Sequence, residues 1–219
     1  GIDSMIPNVA KAINNGEIIE FPSDFANSGF SFVEVEKGQV VDKIIEVVDF
    51  FTGDKNSSKD FDRTQILSPM RRYPSGLINL NSIMQKKYNP NGEKVFSKME
   101  GDREVKFSSG DKVICTQNDY DIDVRNGDIG YIVNKVGKNI RVEFDGAMKL
   151  FHSNKIDYLD LAYAITVHKS QGSEYSNVIM PIVDDHRIML TRKLIYTAIT
   201  RGKQNVCLIG SKRVLREAL

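Results

Sequence analysis

The stretch NVIMPIV at residues 177–183, followed by MLTRKLIYTAITR at 189–201 and NVCLI at 205–209, decides the fold of this 219-residue chain. The first and third segments are almost wholly apolar, which is typical of strands that are buried on both faces. The middle segment has the length and apolar spacing of a helix that connects two parallel strands. We therefore predict an α/β fold in which helices cover both faces of a parallel sheet.

The same alternation of helix and strand extends toward the amino terminus. Apolar residues recur at helical spacing in several further segments, and short apolar runs are bounded by turn-forming residues. Residues 52–60 contain no apolar residue, which predicts a surface loop. The remaining predicted elements are helices at 5–13, 40–51, 77–88 and 161–170, and strands at 29–35 and 64–70.

The pattern changes in residues 108–156, where short strands with alternating apolar residues, predicted at 111–116, 129–134, 140–144 and 148–152, are separated by turn dipeptides. Asn-Gly at 126–127 and Asp-Gly at 145–146 are strong hairpin signals, because both residues of such a turn adopt positive φ. We predict a small all-β barrel here, inserted into a discontinuous α/β domain made of residues 1–107 and 157–219. The barrel could be a rigid spacer, but small barrels also bind oligonucleotides, and this one is locally basic.

The composition excludes several classes of protein. Lys and Arg number 30 against 29 Asp and Glu, so the net charge of +1 does not indicate a nucleic-acid partner, and any DNA-binding surface must be local. Cys115 and Cys207 lack metal-ligand spacing, and we predict reduced core residues, as in a cytoplasmic protein. No apolar run approaches the roughly 20 residues of a membrane-spanning helix, so we expect no membrane partner.

Polar and charged side chains are concentrated in residues 162–175, where a purely structural helix would have more apolar residues. Gln171 and Gly172 interrupt the predicted helix, and such a break exposes backbone amides beside side-chain donors. Together these donors could bind the phosphates of a nucleotide and of a DNA backbone. The polar residues concerned are Thr166, His168, Lys169, Ser170, Gln171 and Glu174.

Arg201 is a second candidate, which we place in the last turn of the predicted helix, four residues after Thr197. A planar guanidinium pairs with two phosphate oxygens at once and keeps its charge, so it suits a phosphoryl group in transfer. A simpler interpretation is that Arg201 only complements the negative end of the helix dipole. Arg71 and Arg72 form a basic loop, which could contact nucleotide or DNA or could simply be solvated.

Residues 166–174, TVHKSQGSE, resemble motif V of superfamily 1 helicases, and residues 196–203, YTAITRGK, resemble motif VI. LAYA at 161–164 and NGDIG at 126–130 are similar to the RecD/TraA branch of that superfamily, and QILSPM at 65–70 resembles its motif IV region. The resemblance covers nearly the whole chain. It implies a RecA-like fold and the C-terminal half of a RecD/TraA-type DNA helicase, with the second RecA-like domain and motifs IV to VI.

The resemblance also implies roles for individual residues. Arg201 would be the catalytic arginine finger, which stabilises charge on the γ-phosphate during transfer, and no metal ligand is implied in this chain. Gly202 stands where relatives more often have Ala, and we expect it to soften the helix end. His168 could instead be an ordinary surface histidine. The nucleotide-binding residues would be Gln171, Gly172, Glu174 and Arg201, and the DNA-binding residues Thr166, His168, Lys169, Ser170, Arg71 and Arg72.

The activity that the resemblance implies is ATP-dependent translocation on single-stranded DNA, in the 5′ to 3′ direction, with ATP and Mg²⁺ bound mainly by a first RecA-like domain. The sequence contains no GxxxxGK[ST] loop, so we expect a fragment that is inactive alone. Its expected partners are single-stranded DNA, that first domain and subunits of a recombination complex. Two other classes stay open: a nucleic-acid-binding module without motor activity, and a structural subunit of a recombination or nuclease complex.

Overall fold

The computed structural model describes residues 5–17, 19–53 and 58–219. Five short 3-10 helices accompany the main elements, at Lys37–Gln39, Ser58–Arg63, Ser153–Tyr158, His168–Ser170 and Asp184–His186. The helices and strands follow in this order: α1 Ile6–Asn14, β1 Phe30–Glu34, α2 Val40–Thr52, β2 Thr64–Ser68, α3 Leu77–Tyr88, β3 Lys94–Glu100, β4 Arg103–Ser108, β5 Lys112–Cys115, β6 Ile129–Val136, β7 Asn139–Phe144, β8 Ala147–Phe151, β9 Leu159–Leu161, β10 Ala164–Thr166, β11 Tyr175–Ile182, α4 Arg192–Ile199, β12 Gly202–Gly210 and α5 Lys212–Ala218.

The chain forms two compact units. The first contains the described residues of 1–55, 62–82 and 164–219, and the second those of 56–61 and 83–163. The second unit thus includes the predicted insertion, 108–156, together with β3, β4 and the end of α3. The limits of the inserted barrel stay a prediction.

A five-stranded parallel sheet in the order β1-β12-β11-β2-β10 forms the centre of the first unit. The central strands are buried along most of their length, and in β12 every residue of 206–210 is buried. Helix α2 contacts β2, β11 and β12, while α1 packs on α4 and β12. The predicted α/β fold with a helix-covered parallel sheet is therefore confirmed.

Local sequence explains where the helices of this unit begin and end. In α2 the buried residues Val40, Ile44, Val47 and Val48 repeat at helical spacing, and the helix ends at Gly53, which adopts a left-handed φ of 74°. Helix α4 begins after Thr191, whose hydroxyl accepts a hydrogen bond from the Leu194 amide at 3.1 Å. This N-cap satisfies one of the donors that a helix start leaves unpaired.

The second unit contains an antiparallel hairpin, β3-β4, and a five-stranded antiparallel sheet in the order β8-β7-β6-β5-β9. The β7-β8 turn is Asp145-Gly146, with φ of 47° and 81°, as the predicted Asp-Gly hairpin requires. The predicted strands at 111–116, 129–134, 140–144 and 148–152 are all present, within two residues at each end. The β3-β4 hairpin was not predicted from the sequence.

A buried carboxylate organises the polar core of the second unit. Asp111 is fully buried and accepts hydrogen bonds of 2.7–2.8 Å from four donors. Burial raises the pKa of this carboxyl, although its hydrogen bonds oppose the shift. The four donors are Gln85 Nε2, Asn89 Nδ2, the Ser108 amide and the Tyr163 hydroxyl.

Three predictions about secondary structure were wrong. Residues 161–170 do not form a helix: they form the end of β9, β10 and one 3-10 turn. Helix α4 ends at Ile199, so Arg201 follows the helix and does not lie in its last turn. Gly202 correspondingly begins β12 and cannot soften a helix end. In the predicted loop, residues 54–57 lie outside the described residues, and Ser58–Arg63 forms a 3-10 helix.

The remaining helix and strand predictions are confirmed, with ends that shift by up to three residues. Both cysteines are buried and reduced. Among the described residues, the helices are too short or too polar to cross a lipid bilayer.

Candidate nucleotide and DNA sites

The carboxyl edge of the parallel sheet brings two predicted DNA-binding segments together. Thr166, the last residue of β10, pairs with Ser68, the last residue of β2. Adjacent strands lie about 4.8 Å apart, so the segments that follow them leave the sheet side by side. One carries His168 and Lys169, and the other carries the basic loop with Arg71 and Arg72.

The motif V segment turns sharply after β10. The Thr166 hydroxyl accepts a hydrogen bond from the Lys169 amide at 3.3 Å, and the Gln171 amide donates to the His168 carbonyl at 3.2 Å. This turn leaves the side chain of His168 exposed. Ser170 is fully buried instead, and its hydroxyl donates to the Val167 carbonyl, so it holds the turn from within.

The basic loop after β2 is tied down by backbone contacts. The Ser68 hydroxyl lies 3.0 Å from the Met70 carbonyl and 2.9 Å from the Ser75 carbonyl, and the Ile78 amide donates to the Arg71 carbonyl at 3.1 Å. Arg71 and Arg72 are both exposed. The loop therefore presents two cations from a fixed backbone at the edge where β10 ends.

Arg201 lies at the opposite, amino edge of the sheet, between α4 and β12. Its Nε donates to the Thr197 carbonyl at 3.2 Å, its Nη1 to the Ser173 carbonyl at 3.2 Å, and its Nη2 to the Thr200 hydroxyl at 3.3 Å. The Arg201 carbonyl accepts from the Tyr175 amide at 2.8 Å. These bonds hold a half-buried guanidinium against the end of motif V.

Three residues near Arg201 were not singled out from the sequence. Ser173 supplies a carbonyl, and a backbone acceptor has no signature in residue type. Lys203 forms an ion pair with Glu174 at 3.4 Å, with both side chains 58% exposed, so the pair contributes little stability. Burial raises the pKa of Tyr175, and the charge of Arg201 opposes the shift. Ser173 and Lys203 lie within motifs V and VI and Tyr175 directly follows motif V, which is the signal that could have found them.

The register of the strands shows that the candidate residues at the carboxyl edge lie far from those near Arg201. Thr166 pairs with Ser68, whereas Asn177 pairs with Thr64, four residues earlier on β2, and Tyr175 lies two residues before Asn177. At about 3.3 Å per residue, the end of β10 and the start of β11 are about 20 Å apart along the strands. The structure therefore brings Thr166, His168 and Lys169 near the basic loop, and Glu174 near Arg201, but does not bring all the candidates together.

Gln171 and Gly172 lie on the exposed path between these two groups. Gly172 adopts a φ of 81° and has open space around the position of a Cβ atom. A cavity of about 410 Å³ adjoins motif VI, with α1 on its other side, but Gln171, Glu174 and Arg201 do not line it. No cluster of three or more potential metal ligands occurs in the part of the chain that the structure describes.

A parallel sheet of this kind, with motif V joining its two edges and an arginine after the motif VI helix, defines the second RecA-like domain of a superfamily 1 helicase. Residues 161–209 match the family described as the UvrD-like helicase C-terminal domain. Residues 80–144 match the ATP-dependent RecD-like DNA helicase SH3 domain. The chain belongs to the RecD-like helicases of superfamily 1 and corresponds to their C-terminal region.

Curated relatives point to the same branch. The chain is 37% identical to the ATP-dependent RecD2 DNA helicase of Deinococcus radiodurans over 147 residues, which are 67% of this chain and 20% of the relative. It is 30% identical to the RecBCD enzyme subunit RecD of Mycolicibacterium smegmatis over 158 residues, 72% of this chain and 27% of the relative. The chain thus spans about a fifth to a quarter of the length of these relatives.

Solved structures agree on the fold. A Pif1 helicase from Bacteroides, in complex with ADP-AlF3 and ssDNA, superposes with a TM-score of 0.58 at 15% identity, covering 100% of this chain and 51% of that one. The Pif1 helicase from Candida albicans gives 0.54 at 12% identity, covering 96% and 54%. At these identities the likeness establishes the architecture alone.

Proposed function

We propose that this chain is the arginine-bearing half of the motor of an ATP-dependent helicase, which moves 5′ to 3′ on single-stranded DNA. One observation carries the proposal: Arg201 is fixed by three hydrogen bonds at one edge of the sheet, against the end of motif V. The other end of motif V lies beside the basic loop at the opposite edge. The direction of movement rests on the resemblance to the RecD branch.

Arg201 is suited to a phosphate of ATP. A guanidinium has five N–H donors, and the three hydrogen bonds made to described residues use one on each nitrogen. Each terminal nitrogen carries a second N–H, which can donate to a phosphate oxygen. In this role Arg201 is the arginine finger, and it stabilises the charge that spreads over the γ-phosphate during transfer.

The rest of the nucleotide site belongs to a first RecA-like domain, which is therefore the essential partner of this chain. That domain supplies the phosphate-binding loop and the ligands for Mg²⁺, neither of which the motifs of this sequence provide. Gln171, Gly172 and Glu174 contribute from this side, because they lie on the path from the carboxyl edge to Arg201. Alone, the chain neither hydrolyses ATP nor unwinds DNA.

The carboxyl edge binds the phosphates of the single strand. Thr166, His168 and Lys169 come from motif V, and Arg71 and Arg72 from the neighbouring loop. Ser170 acts through the turn that its buried hydroxyl holds, rather than by touching DNA. Three cations along one edge, Lys169, Arg71 and Arg72, suit a backbone contact that is independent of sequence.

A second candidate is a structural role in a recombination complex, because several relatives carry the name RecBCD enzyme subunit RecD. The two candidates differ in what Arg201 does. A structural subunit has no use for an arginine finger, whereas the motor depends on it. Both are compatible with binding to partner subunits.

The decisive experiment measures DNA-stimulated ATPase activity of the full-length protein that contains this chain. Arg201→Ala should lower the turnover rate by about 10³-fold or more while leaving DNA affinity nearly unchanged. Arg201→Lys should also be strongly impaired, because an ammonium lacks the planar fork. Arg216→Ala removes an exposed arginine from α5 and serves as the matched control. Wild-type protein should unwind duplexes with a 5′ single-stranded tail and not those with a 3′ tail.

Two results would contradict the proposal. If the full-length wild-type protein shows no ATPase activity with DNA present, the structural role is favoured. If Arg201→Ala is no slower than Arg216→Ala, Arg201 is only a brace at the end of α4.

A further inference from the structure

We propose that Tyr73 stacks on a base of the single strand that the carboxyl edge binds, an inference that rests on the proposed function. Tyr73 follows Arg71 and Arg72 directly in the basic loop after β2. The loop leaves the sheet beside the end of β10, where motif V begins. The ring of Tyr73 contacts His186, which follows β11 at the same carboxyl edge of the sheet.

The backbone of Tyr73 has an unusual conformation. Its φ is 75°, in the left-handed region that a side chain with a Cβ atom rarely adopts. The conformation is imposed by the loop, since the Tyr73 carbonyl accepts from the Gly76 amide at 2.9 Å, and a Cβ on Gly76 would collide with the Arg72 carbonyl. Glycine would fit at residue 73 without strain, so the aromatic side chain is present despite a conformational cost.

The Tyr73 ring is half-exposed and lies beside the buried ring of His186. Its centroid lies 6.3 Å from that of the His186 ring, at an interplanar angle of 57°. His186 is fully buried, whereas Tyr73 is 51% exposed. The contact with His186 restricts the rotation of the ring, and the exposed half of the ring is accessible to a base.

The His186 ring is an uncharged support. Burial lowers the pKa of His186, and the Arg72 backbone and Asp185 oppose the shift. Neither imidazole nitrogen makes a hydrogen bond of normal geometry with the described residues, although the Arg72 backbone lies near. A neutral ring at neutral pH fits a packing role beneath Tyr73.

An exposed aromatic ring in a basic loop suits single-stranded nucleic acid better than duplex. Arginines track the phosphates, and a ring can stack only on a base that is not already stacked on both sides. Stacking is tolerant of sequence, because every base has a π-face. The structure therefore assigns Tyr73 a contact to a base, distinct from the phosphate contacts of Arg71 and Arg72.

The test measures the affinity of the full-length protein for a fluorescent single-stranded oligonucleotide, without ATP, over a range of salt concentrations. Tyr73→Gly should weaken binding by about 5- to 100-fold, and Tyr73→Phe should bind like wild type. Because Tyr73 is uncharged, the slope of log Kd against log salt should not change in either variant. Arg71→Ala is the contrasting variant, and its slope should fall by about 1.

Two further readouts separate stacking from a structural role. Tyr73→Gly should leave the melting temperature within about 2 °C of wild type, because relief of the left-handed strain offsets the lost contact with His186. On an oligonucleotide built from abasic sites, wild type and Tyr73→Gly should bind equally.

The outcomes distinguish this inference from the proposed function. If wild type binds single-stranded DNA and Tyr73→Gly binds equally well, stacking is refuted while the motor proposal stands. If Tyr73→Phe loses as much affinity as Tyr73→Gly, the ring is not the contact and the inference is again wrong. If the wild-type protein binds no single-stranded DNA, the proposed function and the inference fail together.

Discussion

Asp111→Asn should destabilise the second unit by about 2–4 kcal/mol, because the introduced amide cannot accept four hydrogen bonds. Each carboxylate oxygen of Asp111 accepts two: Oδ1 from Asn89 and Tyr163, and Oδ2 from Gln85 and the Ser108 amide. Asparagine keeps one carbonyl oxygen, so two buried donors must face an NH₂ group. A buried donor without an acceptor costs about 1–3 kcal/mol, which gives an upper range of about 2–6 kcal/mol.

Local relaxation recovers part of this cost. The Gln85 and Asn89 amides can flip, but Gln85 would then lose the Lys106 carbonyl and Asn89 the Ser109 carbonyl. The substitution also removes a buried charge, which offsets another part, since burial disfavours the ionised form. The Ser108 amide has no such freedom. These terms place the expected loss in the lower part of the range.

Urea unfolding of the 219-residue chain, followed by far-UV circular dichroism, measures the change in the free energy of unfolding. Tryptophan fluorescence cannot be used because this chain has no tryptophan. Asp102→Asn, in the exposed β3-β4 turn, is the matched control and should lie within about 0.5 kcal/mol of wild type. Tyr163→Phe removes only one of the four donors and should fall between the two. If Asp111→Asn is no less stable than Asp102→Asn, the carboxylate does not organise this core.

Two further predictions concern pH and packing. Burial raises the folded-state pKa of Asp111 above its ordinary 3.8, so the native state binds this proton more tightly than the unfolded chain. The stability of wild type relative to Asp111→Asn should therefore be greatest below pH 3.8 and fall as pH rises through the raised pKa. Urea titrations at several pH values that show the opposite trend, or none, would contradict this prediction. Gly202→Ala should cost about 1–3 kcal/mol, because its Cβ would collide with the Val206 side chain, and the loss should be smaller when Val206→Ala is also present. Additive losses in that double-mutant cycle would show that the collision is relieved elsewhere.

Sequence patterns predict the parts of this fold that local periodicity specifies. Helix α3, Leu77–Tyr88, was predicted to the residue, and β11 and β12 lie within three residues of the predicted strands at either end. In these elements an amphipathic or wholly apolar pattern extends over seven or more residues, or is bounded by clear turn formers. Such patterns leave one compatible structure.

The failure at residues 161–170 has a physical cause. Residues 161–165 are all buried, and a short run that is buried on every side has no periodicity that distinguishes helix from strand. Strand β10 is only three residues long and exists because it pairs with β2, almost one hundred residues earlier in the chain. The β3-β4 hairpin was missed for a different reason, since Gly101-Asp102 is a turn signal between strands that are largely exposed.

In the candidate site, too, the sequence predicts residue types but not backbone geometry. The sequence identified residue types that suit phosphate, and the resemblance to helicase motifs predicts their roles. It could not show that Ser170 is buried, that Arg201 is held by the Ser173 carbonyl, or that Tyr73 has a positive φ. Each of these depends on backbone geometry, which residue identity alone does not specify.

The separation of about 20 Å between the two edges of the sheet also bears on how a signal could cross this unit. A strand in a sheet cannot lengthen or slide past its neighbours without breaking the hydrogen bonds between them. The distance between the two edges of the sheet is therefore fixed. A displacement of Arg201 would then reach the carboxyl edge through residues 167–174, which lie outside the sheet. These eight residues can be replaced one at a time. In the proposed motor, a variant that still hydrolyses ATP and binds single-stranded DNA but no longer moves along it would identify a residue that couples the two sites.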